Sequence, residues 1–140
     1  MEKKAKVDAI LFSCMDRRLY PDVMLYFFDR DYNCDLCFTA GSLDCLINET
    51  TRAYFLNQIA LSKKLHSCKI IILTMHFDCG VYGAFETREK EIAHHKGILE
   101  QAKKIIESAP DDLAKGMVVK KYIIEKDDDG VWHPKRIAAE

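Results

Sequence analysis

Two short segments hold the side chains best suited to chemistry, Ser13-Cys14-Met15-Asp16-Arg17-Arg18 and His76-Phe77-Asp78-Cys79-Gly80. Two thiolates and one imidazole form a soft donor set suited to tetrahedral Zn2+, with one position left for water or another ligand. His76 and Cys79 are spaced for local chelation at a strand-to-helix corner, and Cys14 would arrive from a separate strand. A single cysteine after a strand is most often a small buried hydrophobe. It is the pairing of two such segments, each after a strand-like run, that favours a metal. A structural zinc takes four Cys or His ligands, and none of Cys34, Cys37, Cys45 and Cys68 obviously reaches the same edge.

Asp16 and Arg18 add to this set. A carboxylate two residues beyond a metal thiolate can take the fourth position and close the site. A nearby guanidinium can hold that carboxylate by a charge-assisted, bidentate bond and leave the position to water. Zinc lowers the pKa of bound water to about 7, which makes a hydroxide nucleophile available near neutrality. Asp16 would then accept the hydroxide's hydrogen bond and orient its lone pair. The plain reading of the two residues is a surface ion pair; their place beside Cys14 argues for the site.

These residues converge only if parallel strands present their carboxyl ends along one edge, where open α/β sheets bind ligands. Residues 7–13 and 35–39 are short β-prone runs. Residues 69–75 are the strongest strand signal, continuous and β-branched as in a strand covered on both faces. Residues 117–124 predict a further strand, with a turn at Asp129-Gly130 into Val131-Trp132. Helical spacing covers 22–30, 44–65 and the stretch after Gly83 as far as Ser108, with Pro110 marking its end. The alternation implies an α/β fold, a small single domain over residues 1–140 with a mainly parallel central sheet and flanking helices.

Composition narrows the function classes. A chain of 140 residues has the length of one domain and can bury about two-thirds of its unfolded surface. Lys and Arg number 21 against 22 Asp and Glu, a net charge of −1 that removes the electrostatic case for a nucleic-acid partner. No run approaches the ~20 apolar residues of a membrane helix. The charged start Met1-Glu2-Lys3-Lys4 leads into an apolar stretch too short for a secretory signal. The expected location is therefore cytoplasmic, and the six cysteines read as thiols or metal ligands rather than disulfides. His94, His95, His66 and His133 read as solvated, as do Lys63-Lys64, Lys120-Lys121 and the acidic triplet 127–129. Tyr26-Phe27-Phe28 and Tyr54-Phe55 read as core or subunit contact.

The series Cys14-x-Asp16-x-Arg18, Ala40-Gly41 and His76-x-x-Cys79-Gly80 resembles the motifs of the β-class carbonic anhydrases in order and approximate separation. Residues 121–131 are similar to that family's last strand and turn, so the likeness extends over nearly the whole chain. The paired metal motifs carry it; Ala-Gly alone would mean little. The resemblance implies Zn2+ on Cys14, His76 and Cys79, with Asp16 and Arg18 as the dyad beside the bound water and Asp16 as fourth ligand in a closed state. A pocket for a small substrate would lie at Gly41, Ser42 and Gly80. The implied activity is that of a zinc-dependent lyase, a carbonic anhydrase hydrating carbon dioxide reversibly to bicarbonate and a proton through a zinc-bound hydroxide. The implied assembly is a homodimer or higher homo-oligomer.

The chain also departs from that pattern. Its first strand is expected almost at the start of the sequence, so the family's N-terminal helical arm is expected to be missing. Phe38-Thr39 stands where Arg-Asn is usual before Ala-Gly, Met75 stands where a Gly commonly precedes the metal His, and residues 81–115 are short for the family. The pocket wall is therefore expected to be open or rebuilt. Three alternatives remain in view: a non-catalytic zinc domain, a hydrolase of carbonyl sulfide or carbon disulfide, and a thiol redox protein using the C-x-x-C pair Cys34 and Cys37.

Overall fold

The strongest apolar runs become the centre of the molecule. In the computed structural model, which describes residues 6–138, β1 (Ala9–Cys14) and β3 (Ile70–His76) lie side by side. Every residue in them is buried except the half-buried Ile70. β2 (Cys34–Thr39), β4 (Val118–Lys126) and β5 (Trp132–Ile137) complete a sheet of order β2-β1-β3-β4-β5. The first four strands run parallel and β5 runs antiparallel to β4. This is the mainly parallel α/β fold that the alternation predicts. Continuous burial along β1 and β3 is what strands covered on both faces require. The charged start at residues 1–4 lies outside the described residues.

β1 and β3 each run one residue past the predicted stretch, so Cys14 and His76 are the last residues of strands rather than loop residues. α1 (Asp22–Asp29) buries Val23 and Phe27. The single helix expected over 44–65 is instead two, α2 (Asp44–Ile47) and α3 (Glu49–His66). Between them Asn48 is extended, and its side-chain oxygen accepts the Thr50 N–H at 2.9 Å. An Asn N-cap of this kind starts a new helix even where apolar spacing looks continuous.

α4 (Arg88–Glu107) begins where the Thr87 hydroxyl accepts the Lys90 N–H, with Glu89 and Glu91 in its first turn favouring the positive end of the helix dipole. It turns Glu91, His95, Leu99, Ala102 and Ile106 inward, against β3 and β4. The acidic triplet does build the turn before β5: Asp127 Oδ1 accepts the N–H groups of Asp129 and Val131 at 2.9 and 3.0 Å. No helix among the described residues is long and apolar enough to cross a membrane. β2 lies to one side of β1 and β3 to the other, so the crossovers leave β1 in opposite directions. The crevice at the carboxyl ends of β1 and β3 is the topological switch point, where open α/β sheets bind ligands.

Candidate metal centre

Cys14 and His76 end the two strands that flank the switch point, and the turn after β3 brings Cys79 back beside them. Their donor atoms all lie within 4.8 Å of one another, and all three residues are buried. His76 Nδ1 is 2.7 Å from the Phe77 carbonyl oxygen. A carbonyl can only accept, so Nδ1 carries the proton and Nε2 presents a bare lone pair. That Nε2 is buried and has no hydrogen-bond partner among the described residues. A buried polar atom left unpaired costs free energy unless something else satisfies it.

The sulfur environment is built for thiolates. The Cys79 thiol donates to Cys14, and the His76 side chain and the Asp16 and Gly41 N–H groups also face the Cys14 sulfur. Together they hold Cys14 well below the ordinary thiol range against the opposing effect of burial. The shared proton and burial push Cys79 up instead, although the Val81 and Tyr82 N–H groups point at its sulfur. A cation between the two sulfurs would take the place of that proton, because metal thiolates are deprotonated outright. The orphaned imidazole nitrogen and the two N–H-cradled sulfurs together fit Zn2+, whose ligand preferences are S and N.

Asp16 starts a single 3-10 turn (Arg17–Leu19), its Oδ1 accepting the Arg18 N–H at 3.0 Å. The Arg18 guanidinium grips both oxygens, with Nε at 3.1 and 3.0 Å and Nη2 at 2.6 Å from Oδ2. This side-chain bond is the main reason the Asp16 carboxyl is held down to about 2. Arg18 Nη2 also donates to the Asp78 carbonyl at 3.0 Å, and the guanidinium lies 5.8 Å from the centre of the Trp132 ring. Trp132 in turn packs edge-on to His76 at 5.7 Å.

The three residues expected to line a substrate pocket differ in what they do. Gly41 is required by space: its φ is +76°, and a Cβ there would sit 3.0 Å from Val81 Cγ1. The Tyr82 hydroxyl donates to the Gly41 carbonyl at 2.8 Å. Ser42 is buried and spends its hydroxyl on the Thr74 carbonyl at 2.6 Å, tying the β2–α2 connection to β3. At Gly80 a Cβ would meet no described protein atom within 4 Å, so packing does not require a glycine there.

Other expectations change with the fold. Cys34 and Cys37 stand three apart on β2, so their side chains point to opposite faces about 10 Å apart and cannot bond to each other. Burial pushes their thiols up to about 12 and about 11, which keeps both protonated. The redox alternative built on this pair therefore fails. His95 is fully buried rather than solvated, and burial pushes its imidazole down to about 4. Lys121, expected in a solvated patch, is mostly covered and pairs with Glu100 at 3.0 Å. Of the aromatic runs, Phe27 is core while Phe28 and Tyr54 are exposed.

Sequence reasoning missed Glu91, His95 and Trp132 as neighbours of the site. One signal was available: 91, 95, 99, 102 and 106 follow helical spacing, so two polar residues share a stripe with Leu99, Ala102 and Ile106.

The fold and the donor set together define a class, small α/β proteins with a Cys-His-Cys group at the switch point that could hold a metal. Similar solved structures include a carbonic anhydrase from Streptococcus mutans, 15% identical, covering 94% of this chain and 82% of that one at a TM-score of 0.60. A tetrameric β-carbonic anhydrase from Sordaria macrospora is 12% identical over 96% and 82%, also at 0.60. A carbon disulfide hydrolase is 14% identical over 87% and 76%, at 0.58. These likenesses establish the shared fold. No protein-family model matches the chain. It is 30% identical over 112 residues to an uncharacterized protein of Rickettsia conorii, a match covering 72% of this chain and 60% of that relative's length.

Proposed function

We propose that the protein is a zinc-dependent lyase that hydrates carbon dioxide reversibly to bicarbonate and a proton. Cys14, His76 and Cys79 hold the ion, and Asp16 and Arg18 are the dyad beside it. The observation that carries this reading is the Asp16–Arg18 pair: both carboxylate oxygens are engaged by the guanidinium, next to three donors that leave one tetrahedral position open. When bound, Zn2+ supplies a Lewis acid that acidifies water to near neutrality. Asp16, ionised across the working range, keeps lone pairs free to accept a hydrogen bond from a water and so aim its oxygen at an electrophilic carbon. Arg18 keeps that carboxylate at its post and off the metal. The His76 Nδ1 proton, held on the Phe77 carbonyl, keeps Nε2 a donor to the ion.

Metal analysis together with stopped-flow carbon dioxide hydration tests this. The expected result is about one zinc per chain, by the single-ion donor count, with activity lost in Cys79→Ser and strongly reduced in Asp16→Asn. Zinc without hydration at pH 7 and pH 8.5 would reduce the protein to a non-catalytic zinc domain.

A second reading, hydrolysis of carbon disulfide or carbonyl sulfide, is favoured by two exposed apolar residues close in sequence to the donors. Met15 is 64% and Val81 50% exposed, beside Cys14 and just past Cys79. Release of hydrogen sulfide from either substrate distinguishes it. Assembly as a homodimer or larger homo-oligomer is part of the proposal. Among the described residues β2 ends the sheet with one side unpaired and with Leu36 50% exposed, an edge that proteins normally cover. Light scattering reads the mass directly.

A further inference from the structure

We propose that Glu91 and His95 on α4 are positioning residues that clamp the main chain between His76 and Cys79 in the shape that presents both donors. The proposal rests on reading Cys14, His76 and Cys79 as a metal site. The chain after β3 must reverse within three residues, and Asp78 does so at φ 59°, a left-handed conformation that few side chains adopt. Two polar groups of this turn are bonded to α4. Glu91 Oε2 accepts the Asp78 N–H at 2.9 Å, and His95 Nε2 donates to the His76 carbonyl at 2.9 Å.

The two side chains are four residues apart on one face of α4, 3% and 0% exposed, in line with the apolar stripe. Each is itself held. Arg88 Nη1 donates to Glu91 Oε1 at 2.6 Å and to Asp78 Oδ1 at 2.9 Å, and its guanidinium lies over the Phe77 ring at 4.4 Å. His94 Nδ1 lies 3.0 Å from His95 Nδ1. Since His95 Nε2 must carry the proton it gives to a carbonyl, His95 Nδ1 accepts, and the tautomer is settled.

Two features say that more than packing is involved. A carboxylate and an imidazole on a buried stripe are costly, and apolar residues would serve a helix that only had to cover the sheet. In addition, the His76 ring is oriented by the Phe77 carbonyl, which belongs to the same turn. Whatever holds the turn therefore holds the direction of Nε2 as well as the place of Cys79. Groups that orient metal ligands in this way typically contribute 10–100-fold in metal affinity.

The test has one arm without metal and one with it. In metal-free protein, amide hydrogen exchange by NMR should show a protected Asp78 N–H. Glu91→Ala should speed its exchange by at least about tenfold relative to Ile123 in β4, consistent with loss of one buried hydrogen bond. Glu91→Gln, which keeps an acceptor, should restore most of the protection. In chelator competition, Glu91→Ala and His95→Ala should bind zinc about 10–100-fold more weakly than wild type. His95→Gln, which keeps a donor near Nε2, should recover most of that loss.

An Asp78 amide that exchanges as freely as open loop in the wild type would overturn the proposal, and this reading needs no variant to fold. Alanine variants with unchanged Asp78 protection and unchanged zinc affinity would overturn it equally. Wild-type protein that takes up no zinc, yet loses Asp78 protection in Glu91→Ala, would refute the metal reading and leave the clamp standing.

Discussion

The Arg18 guanidinium lies 3.0 Å from the main-chain carbonyl oxygen of Asp78, sixty residues further along the chain, while holding both oxygens of Asp16. One side chain therefore fixes the Asp16 carboxylate and also ties the segment after β1 to the turn after β3. The two donor-bearing segments are held in relation to each other by this bond as well as by the sheet.

Arg18→Lys keeps the charge and loses the fork, so a single ammonium cannot span Asp16 and Asp78. In zinc-loaded protein the expected result is a fall in carbon dioxide hydration of about 10–100-fold. Arg18 is half-exposed, so the unfolding free energy should change by less than about 1 kcal/mol. In the cobalt-substituted form, visible absorption should report Asp16 entering the coordination sphere. Unchanged turnover would refute the dyad.

Zinc uptake should be visible as stability. Free Zn2+ at 100 times its dissociation constant adds about 2.7 kcal/mol to a protein that binds it only when folded. A melting temperature that rises with zinc in the wild type and stays level in Cys79→Ser is the expected pattern in differential scanning calorimetry. Equal curves for the two proteins would remove Cys79 from the ligand set.

Gly41 and Gly80 should respond oppositely to a methyl group. Gly41→Ala places a Cβ in a left-handed residue and 3.0 Å from Val81 Cγ1, which should cost at least about 1–2 kcal/mol in urea unfolding. Gly80→Ala meets open space and should stay within about 0.5 kcal/mol of wild type. Equal costs at the two sites would contradict the packing of Val81 over the β2–α2 connection.

The turn before β5 gives a pH signature. The His133 ring, 2.7 Å from Asp127 Oδ2, and then the Val131 N–H hold the Asp127 carboxyl below its ordinary value. A carboxyl that is more acidic when folded contributes its stability in full above the unfolded value near pH 4, and loses it as pH falls through the lower folded value. Wild type should therefore exceed Asp127→Asn in urea midpoint at pH 6, and the two should converge near pH 2. A gap that persisted there would assign the effect to the amide's geometry rather than its charge.

Much of this architecture is legible along the chain because strand and helix signals are local. The β-branched run ending at Met75 can hardly be anything but a central strand, and the spacing of Cys14, Asp16, Arg18, His76 and Cys79 names the donor chemistry before any fold is known. Asn48 shows where local reading stops: its cap bond outweighs a continuous apolar pattern and divides one expected helix into two. Residue types and their spacing thus determined which atoms were available and roughly which elements would carry them.

Only the tertiary structure decided how those atoms meet. Strand order brings the ends of β1 and β3 together at one edge of the sheet. The rotation of α4 buries Glu91 and His95 against the turn that carries Cys79, where the sequence reads charged helix. Each of these outcomes depends on contacts between segments distant in the chain. Such contacts are settled by the free energy of packing one whole face against another, which short-range periodicity does not contain.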